Sequence, residues 1–371
     1  ARLDQANVAE SFRDDPDATL RAFGEPVVLD EWQHVPEVLG AVKRAVDAGS
    51  GPGRFILTGS VSAGVSPGQW PGTGRIVELH MTTLTQRELA GGLLTPDPAG
   101  RTLLVDRLPA ADLPDRRSTR DITDYLGLAL RSGFPEAVDL PDRVRSDWLA
   151  SYLDQVVHRD SQLADAHVDP TRFGRYLRVL GTLTACVASD QTLFAAAGVS
   201  RPTAAVYEHL LHRLHLLTTI PAWASNALKR IVSTGKRVLA DPALAASLMR
   251  EDAAGILLQP ALKGRIVETL VAAQLSAEAP LSRTRPILHH LRDRNGDREI
   301  DFLLEYSGQR VVGVEVKAAA TATKTDAKHL MWLRDRLGDR FQAGVVLYAG
   351  ELARELDDRI YALPLDSWWL G

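Results

Sequence analysis

The stretch DREIDFLLEYSGQRVVGVEVK, Asp297–Lys317, decides the fold of the C-terminal part of this chain. Two apolar runs rich in β-branched and aromatic residues, 299–306 and 310–317, flank a Ser307-Gly308 pair. Such a pattern predicts a β-hairpin with its turn at the serine and glycine. Buried charges cost free energy unless they are compensated, so the acids and the lysine inside these runs require an explanation.

The charged residues of this hairpin are expected to meet on one side of it. Side chains alternate along a strand, so Glu315 and Lys317 share a face, and the valines at 312, 314 and 316 take the other. Pairing of the two strands would bring Asp301 close to Glu315. A divalent cation relieves the repulsion between adjacent carboxylates, and their hard oxygen ligands suit Mg²⁺ or Mn²⁺.

These residue types suit the hydrolysis of a phosphodiester. Asp301 and Glu315 would hold the metal, while Lys317 could orient a water and offset developing negative charge. Glu268, on the preceding predicted helix, could add a carboxylate. One alternative is an ordinary hairpin with an exposed ion pair, which is common but less expected in so apolar a run. Another alternative is a domain of the same fold that binds nucleic acid but does not cleave it.

Residues 260–371 predict an α/β domain in the order helix, three strands, helix, strand. This order, together with Asp301 and Glu315-Val316-Lys317, resembles the restriction-endonuclease-like nuclease superfamily, whose signature is D…(D/E)xK. Glu268 matches the acid often found on the first helix of that fold. The resemblance covers about residues 260–350 and implies a magnesium-dependent nuclease site.

The N-terminal residues 26–92 also predict an α/β arrangement, here with a parallel sheet. The strand VVLDE ends in Asp30 and Glu31, the strand RFILTGS ends near Thr58, and RIVELHM is expected to form a third strand. Ligands of open α/β sheets bind at the carboxyl ends of the strands. There Asp30 could hold Mg²⁺ through water, Glu31 could polarise an attacking water, and Thr58 could sense a γ-phosphate.

The ordered series VVLDEWQHVPEVLGAVKRAVD, RFILTGS, TGRIVEL and LTQREL is similar to a family of bacterial and archaeal AAA-type ATPases. These ATPases commonly carry a C-terminal domain of unknown function with the nuclease-like fold. The resemblance implies that Asp30 and Glu31 are the Walker B acids and that Thr58 is the sensor. It also suggests that Arg75 contacts phosphate in its own or a neighbouring subunit.

The chain departs from that family in one respect. The phosphate-binding sequence GxxxxGK[ST] occurs nowhere in it. We expect this sequence to lie upstream of Ala1; the alternative is that the chain is not a working ATPase.

The middle of the chain predicts a winged helix-turn-helix. In QTLFAAAGVSRPTAAVYEHLLHRLHLLTTI, Gly198-Val199 form the turn and Ser200 caps the second helix, while the segments that follow could form a wing. Residues 198–237 carry six Lys or Arg against one acid, which suits DNA phosphate. The expected contacts are Arg201, Thr203, Tyr207, Lys229 and Arg230. The alternative is a winged helix used only for packing or subunit contact.

These patterns together predict an α/β protein: a P-loop NTPase-like N-terminal part, a helical and winged-helix middle, and a restriction-endonuclease-like C-terminal domain. The predicted boundaries are 1–92, 93–188, 189–259 and 260–371. A formal net charge of −4 excludes a global polyanion-binding surface, and the single cysteine excludes an internal disulfide framework.

The predicted function is that of an AAA-family protein that binds and hydrolyses ATP with Mg²⁺ or Mn²⁺ and acts on DNA through a nuclease-like domain. The alternative is an ATP-switched regulator that binds DNA or protein and whose nuclease-like domain is inert. We expect a cytoplasmic protein with no membrane partner, and leave a homo-oligomer open.

Overall fold

A computed structural model describes residues 1–49, 51–59, 74–92, 103–114, 117–161, 168–224, 234–293 and 296–370. The chain is a mixed α/β protein with a parallel strand pair near the N-terminus and a six-stranded sheet near the C-terminus. It divides into two compact units, Ala1–Met81 and Thr82–Gly371, which are described separately. Among the described residues, no helix combines the length and apolarity needed to cross a membrane.

The first unit packs three helices around a short parallel strand pair. Its elements are α1 (Ala6–Asp14), α2 (Pro16–Phe23), β1 (Val27–Leu29), α3 (Val38–Ala48) and β2 (Phe55–Leu57). The predicted parallel pairing is confirmed, with Val27 opposite Phe55 and Leu29 opposite Leu57. Phe12, Leu29 and Val38 are fully buried between the helices and the strands, so a small apolar core fixes the position of the residues that follow β1.

The expected third strand of this unit, RIVELHM, is wrong. Residues 76–81 adopt no regular secondary structure, and Val77, Leu79 and Met81 are exposed. A strand of this composition requires a neighbouring strand to accept its backbone hydrogen bonds. Within the described part of the first unit only β1 and β2 pair, and neither pairs with this segment.

The second unit begins with helices and a helix-turn-helix. Its first helices are α4 (Gln86–Leu89), α5 (Leu104–Arg107), α6 (Ile122–Leu130), α7 (Asp142–Gln155) and α8 (Pro170–Thr182). They are followed by α9 (Asp190–Ala197), α10 (Arg201–Arg213), β3 (Leu217–Ile220), β4 (Lys236–Leu239), α11 (Pro242–Met249) and α12 (Ala253–Leu257).

The predicted helix-turn-helix is confirmed. Gly198 ends α9 in the left-handed conformation at φ +65°, which a glycine adopts without the steric cost of a Cβ. The Ser200 hydroxyl accepts a hydrogen bond of 3.4 Å from the amide of Thr203 at the start of α10. Strands β3 and β4 pair as an antiparallel hairpin, as the wing prediction requires.

The hairpin continues into an edge contact with the C-terminal sheet. Ala222, just after β3, bridges in parallel to His290. The amide of His290 donates to the Pro221 carbonyl at 3.0 Å, and the amide of Trp223 donates to the His290 carbonyl at 2.6 Å. The wing is therefore joined to the sheet by backbone hydrogen bonds rather than projecting away from it.

The C-terminal part forms a mixed six-stranded sheet flanked by two helices. Its elements are α13 (Pro260–Leu281), β5 (Ile287–Arg292), β6 (Glu299–Tyr306), β7 (Arg310–Lys317), α14 (Lys328–Leu337), β8 (Phe341–Tyr348), β9 (Arg354–Asp357), β10 (Ile360–Pro364) and α15 (Ser367–Leu370). The strand order is β5-β6-β7-β8-β10-β9, with β7, β8 and β10 parallel. The predicted order from α13 to β8 is confirmed, whereas β9, β10 and α15 were not predicted.

Strand β7 lies between the two helices and is buried on both faces. Val312, Val314 and Val316 pack in the core that also includes α13, and Val311 packs in the core that includes α14. Gly313 permits the close approach of α14, because a Cβ built there would meet the Leu330 side chain at 2.5 Å. An apolar run buried on both sides explains why β7 shows so little polar alternation.

The segment 84–89, which contains α4, is held in the second unit by a buried polar network. The Arg87 guanidinium donates from Nε to Glu278 Oε1 at 3.0 Å and from Nη2 to the Trp368 carbonyl at 2.6 Å. The amide of Gln86 donates to the Gln274 side chain at 2.7 Å. Burial raises the pKa of Glu278 to about 7, with the opposing charge of Arg87 too weak to cancel the effect.

Candidate functional site

The predicted hairpin brings its acids together. Strands β6 and β7 pair antiparallel with Phe302 opposite Val314, which sets Asp301 and Glu315 at the next positions of the two strands. The amide of Val316 donates to Asp301 Oδ2 at 2.8 Å, so the backbone of β7 fixes this carboxylate. The two charges interact, because the charge of Asp301 contributes to the raised pKa of Glu315.

Glu315 is the most buried acid of the hairpin, with 4% of its surface exposed. Its Oε2 accepts a hydrogen bond of 3.2 Å from Lys317 Nζ, while its Oε1 is buried and has no hydrogen-bond partner among the described residues. Burial, reinforced by the charge of Asp301, raises the pKa of Glu315 well above its ordinary value. An unpartnered buried carboxylate oxygen is costly, and a cation would satisfy it.

Lys317 lies at the edge of this group. About a third of its side chain (33%) is exposed, so its ammonium contacts Glu315 and still reaches solvent. Burial alone would lower its pKa, but the charges of Glu315 and Asp301 hold the pKa of Lys317 above its ordinary value. Lys317 therefore stays protonated at neutral pH.

A second lysine, which the sequence did not indicate, completes the site. Lys236 is the first residue of β4 and its side chain is 0% exposed. Its ammonium donates hydrogen bonds to Glu268 Oε1 and to the backbone carbonyl of Asp301, and it lies 3.7 Å from Asp301 Oδ1. It also lies 5.2 Å from the centre of the Phe302 ring.

The predicted third carboxylate, Glu268, thus lies at the site but is bonded to Lys236. Burial and the charge of Asp301 raise the pKa of Glu268, and Lys236 opposes that rise. Burial alone would lower the pKa of Lys236, yet the charges of Glu268 and Asp301 hold it above its ordinary value. The sequence signal for Lys236 was its alternation with the buried Val238, which places both on the inner face of β4.

The donor set fits one divalent cation of the magnesium type. Within the described residues, no group of three or more His, Cys, Asp or Glu side chains is arranged to hold a metal. However, Mg²⁺ commonly binds through one or two carboxylates and keeps several waters. Asp301 Oδ1 and the unpartnered Glu315 Oε1 could supply two such oxygens, whereas Glu268 is bonded to Lys236.

The acids of the first unit lie where the parallel strands end. Asp30 follows β1 and Thr58 follows β2, and the Thr58 hydroxyl donates a hydrogen bond to Asp30 Oδ1. Glu31 adopts a left-handed backbone conformation at φ +56° and accepts a hydrogen bond from Gln33. Carboxylates at the carboxyl ends of parallel strands fit a water-bridged Mg²⁺ beside a nucleotide phosphate.

Arg75 forms an ion pair with Asp47, which is not one of the residues Asp30, Glu31 and Thr58 at the strand ends. Its Nε lies 2.7 Å from Asp47 Oδ1, near the end of α3, and Lys43 contacts the other oxygen of the same carboxylate. In the part of the chain that the structure describes, Arg75 has no hydrogen bond or ion pair with Asp30 or Thr58. Its predicted phosphate contact stays a prediction.

The predicted DNA contacts lie in different environments. Arg201 is exposed at the start of α10, and Thr203 is half-buried with its hydroxyl 2.8 Å from that of Ser200. A DNA contact by Tyr207 requires an exposed side chain, and this expectation is wrong: Tyr207 is 3% exposed and packs edge-on against Phe173. The remaining two predicted contacts, Lys229 and Arg230, lie outside the described residues.

Two of the basic residues near the predicted helix-turn-helix form ion pairs within the protein. Arg237 donates to Glu208 at 2.9 Å and to Asp190 at 2.6 Å, which ties β4 to α10 and α9. Lys236 is buried in the acidic site. Neither is placed to neutralise a DNA phosphate, because both have carboxylate partners in the interior or at its edge.

Comparison with known proteins supports an AAA-type family with a domain of unknown function. Residues 2–90 match the family model of an AAA domain, which suggests an ATPase-like function and in general implies ATP with Mg²⁺. Residues 122–255 match a domain of unknown function (DUF8612), and residues 263–368 match another (DUF4143).

Two relatives cover most of the chain. An uncharacterized protein of Mycobacterium bovis and one of Mycobacterium tuberculosis are each 24% identical to it over 355 residues. The alignments cover 95% of this chain and 71% of each relative. No solved structure matches the chain. The P-loop-like and nuclease-like folds therefore stay predictions.

Proposed function

We propose that this protein uses ATP at its AAA domain and hydrolyses phosphodiester bonds of DNA at the Asp301–Glu315–Lys317 site. The single observation that carries the proposal is the buried, unpartnered Oε1 of Glu315 beside Asp301 and an accessible lysine. The buried Oε1 of Glu315 is an acceptor that a divalent cation would satisfy.

Each side chain has a role that follows from its contacts. Asp301, fixed by the Val316 amide, and Glu315 would hold one divalent cation. That cation would activate the phosphodiester and a water as a Lewis acid. Lys317 is protonated and reaches solvent, so it can bind a substrate phosphate and offset negative charge that develops there.

In the AAA domain, Asp30 would hold nucleotide-bound Mg²⁺ through water and Glu31 would polarise the attacking water. Thr58 supports this assignment because its hydroxyl bonds to Asp30 and so links the ends of β1 and β2. The homo-oligomer that AAA proteins often form is part of the proposal as the arrangement in which Arg75 could reach a neighbouring phosphate.

The direct test is cleavage of supercoiled plasmid by the full-length protein with Mg²⁺ or Mn²⁺. We expect cutting that EDTA stops and that Asp301→Ala abolishes. Asp297→Ala, which changes an exposed acid four residues away, is the matched control and should cut as the unaltered protein does. Cutting that survives Asp301→Ala would remove the site from the proposal.

The second candidate is an ATP-switched regulator whose nuclease-like domain is inert. One observation favours it: the Lys236 ammonium already contacts Glu268 and Asp301, so part of the acidic charge is neutralised without a metal. The docking of the wing on the sheet edge also favours a packing role for the hairpin.

Lys317→Ala separates the two candidates. Under the nuclease proposal, it lowers cutting by at least about 100-fold while DNA retention changes little. If neither form cuts, and both retain DNA equally in a filter-binding measurement, the inert regulator is the better description. Lys324→Ala, a nearby exposed lysine paired with Asp357, is the control for a general loss of positive charge.

A further inference from the structure

Strand β4 places the positively charged side chain of Lys236 among the acids of the site. Lys236 lies 65 residues before Asp301 in the chain, yet its ammonium contacts that residue and Glu268. A lysine is rarely buried completely unless it is paired, because desolvation of the ammonium costs several kcal/mol. Here two carboxylates, one backbone carbonyl and the face of Phe302 compensate it.

The contacts of Lys236 are those that a second metal ion would make. In two-metal phosphodiesterases, a shared carboxylate bridges two ions about 3.5–4 Å apart, and further carboxylates complete each ion. Asp301 is the acid that could be shared, since it lies between Glu315 and Glu268. The ammonium of Lys236 lies on the side of Asp301 that faces Glu268, 3.7 Å from Asp301 Oδ1.

We propose that Lys236 serves as the second cation of this site, so that the site takes a single divalent ion, at Asp301 and Glu315. Lys236 is a positioning residue: it pairs with Glu268 and lies beside Asp301 Oδ1. This inference rests on the proposed function, because both require Asp301 and Glu315 to accept a divalent ion.

The charge of the site supports one ion rather than two. With all three carboxylates ionised, as metal binding would require, Glu268, Asp301 and Glu315 are countered by the two ammonium groups of Lys236 and Lys317, which leaves one formal negative charge. One divalent ion converts this to one positive charge, which a phosphate of the substrate balances. A second ion would add two further positive charges in a buried site, where their repulsion is weakly screened.

The contacts of the β3–β4 hairpin explain how Lys236 is kept in place. Backbone hydrogen bonds join residues 221–223, which follow β3, to β5 at the sheet edge. Strand β4 pairs with β3 on one side, and Arg237 anchors β4 to α10 through Glu208. Lys236 therefore enters the site on a strand fixed at both sides. Its ammonium is not on a flexible surface side chain that a metal could simply displace.

Counting bound ions tests the inference on the full-length protein. We would titrate Mn²⁺ without nucleotide and follow free Mn²⁺ by electron paramagnetic resonance. The ions of this site are those that the unaltered protein binds and the Asp301→Asn variant does not. We expect Asp301→Asn to cause the loss of one ion. A loss of two would overturn the inference but leave the proposed function standing, whereas no loss would remove the metal site and the proposed function with it.

Two variants test the role of the lysine. Glu268→Gln keeps an acceptor for Lys236 and should leave the count at one, since Glu268 is not a metal ligand. Lys236→Met frees Glu268 and should raise the count to two, with a larger Mn²⁺-induced increase in Tm than in the unaltered protein. The inference would be overturned if Glu268→Gln no longer bound the ion. It would also be overturned if Lys236→Met folded but still bound only one ion.

Glu268→Gln remains decisive if Lys236→Met does not fold. The double variant with both changes removes the charge pair together and should again bind one ion. Two ions in the double variant would also contradict the proposal, because no ionised carboxylate would remain at the position assigned to the lysine.

Discussion

The amide of Val316 donates a hydrogen bond of 2.8 Å to Oδ2 of Asp301, so one strand of the hairpin orients the acid of the other. This bond needs an oxygen acceptor but no charge. The aspartate is therefore held by an interaction that an asparagine could also make, while its repulsion with Glu315 is a cost that only the charged form carries.

For this reason, Asp301→Asn should separate stability from activity. We expect cutting of plasmid with Mg²⁺ to fall at least about 100-fold. The free energy of unfolding in urea should change by no more than about 1 kcal/mol, because the bond to Val316 persists and the removed repulsion with Glu315 offsets the lost attraction to Lys236. A loss of several kcal/mol would indicate that the acid has a structural role instead.

Glu31→Gln should impair ATP hydrolysis and spare ATP binding. Glu31 follows β1 with its carboxylate directed by Gln33, and removal of a general base lowers kcat about 10²–10⁴-fold. Phosphate release measures hydrolysis, and a fluorescent ATP analogue measures binding. Glu37→Gln, at an exposed glutamate six residues later, should match the unaltered protein in both. Equal hydrolysis by Glu31→Gln would contradict the assignment.

The buried Glu278 should make stability fall as pH rises. Its pKa is about 7 in the folded chain and near 4.5 when unfolded, so the folded chain binds the extra proton between these values. The free energy of unfolding should then decrease from pH 5 to pH 8, by on the order of 2–3 kcal/mol from this group. Below pH 4.5 both states are protonated and the effect ends.

Glu278→Gln isolates that contribution, because the other titrating groups are unchanged. Urea unfolding at pH 5, 6, 7 and 8, followed by tryptophan fluorescence, should show a shallower decline in the variant than in the unaltered protein. Parallel declines would mean that Arg87 compensates the charge of Glu278 fully.

Arg201→Ala should weaken DNA binding and reduce its dependence on salt. Arg201 is exposed at the start of α10, and loss of one phosphate contact lowers the slope of log K against log salt by about one. Tyr207→Phe should leave affinity unchanged, since Tyr207 is buried. Arg143→Ala, at an exposed arginine of α7, is the control; an equal effect there would indicate unspecific attraction.

The sequence predicted those parts of the fold that depend on local pattern. Two apolar, β-branched runs on either side of Ser307-Gly308 indicated the β6–β7 hairpin and hence the meeting of Asp301 with Glu315. Gly198 and Ser200 indicated the turn and cap of the helix-turn-helix because a left-handed glycine and a capping hydroxyl act over a few residues.

The sequence did not predict features that depend on how distant segments pack. Lys236 was counted as a DNA-facing charge, and only the docking of its hairpin on β5 shows that it points into the acidic site. Tyr207 was expected outside, but the aromatic side chains of α8 cover it. Alternation within an element groups the residues that share a face, but it does not show which face is buried or what that face contacts.

The buried network of Arg87 bears on where this polypeptide can be divided. The AAA match extends to residue 90, but Gln86 and Arg87 belong to the second unit. There the Arg87 guanidinium bonds to Glu278 and the backbone amide of Gln86 bonds to the Gln274 side chain. A fragment that starts after residue 92 would leave the Glu278 carboxylate without its guanidinium partner in an apolar interior. A cut at the boundary near Met81 keeps the pair intact, so limited proteolysis or domain exchange should be aimed there rather than at the end of the sequence match.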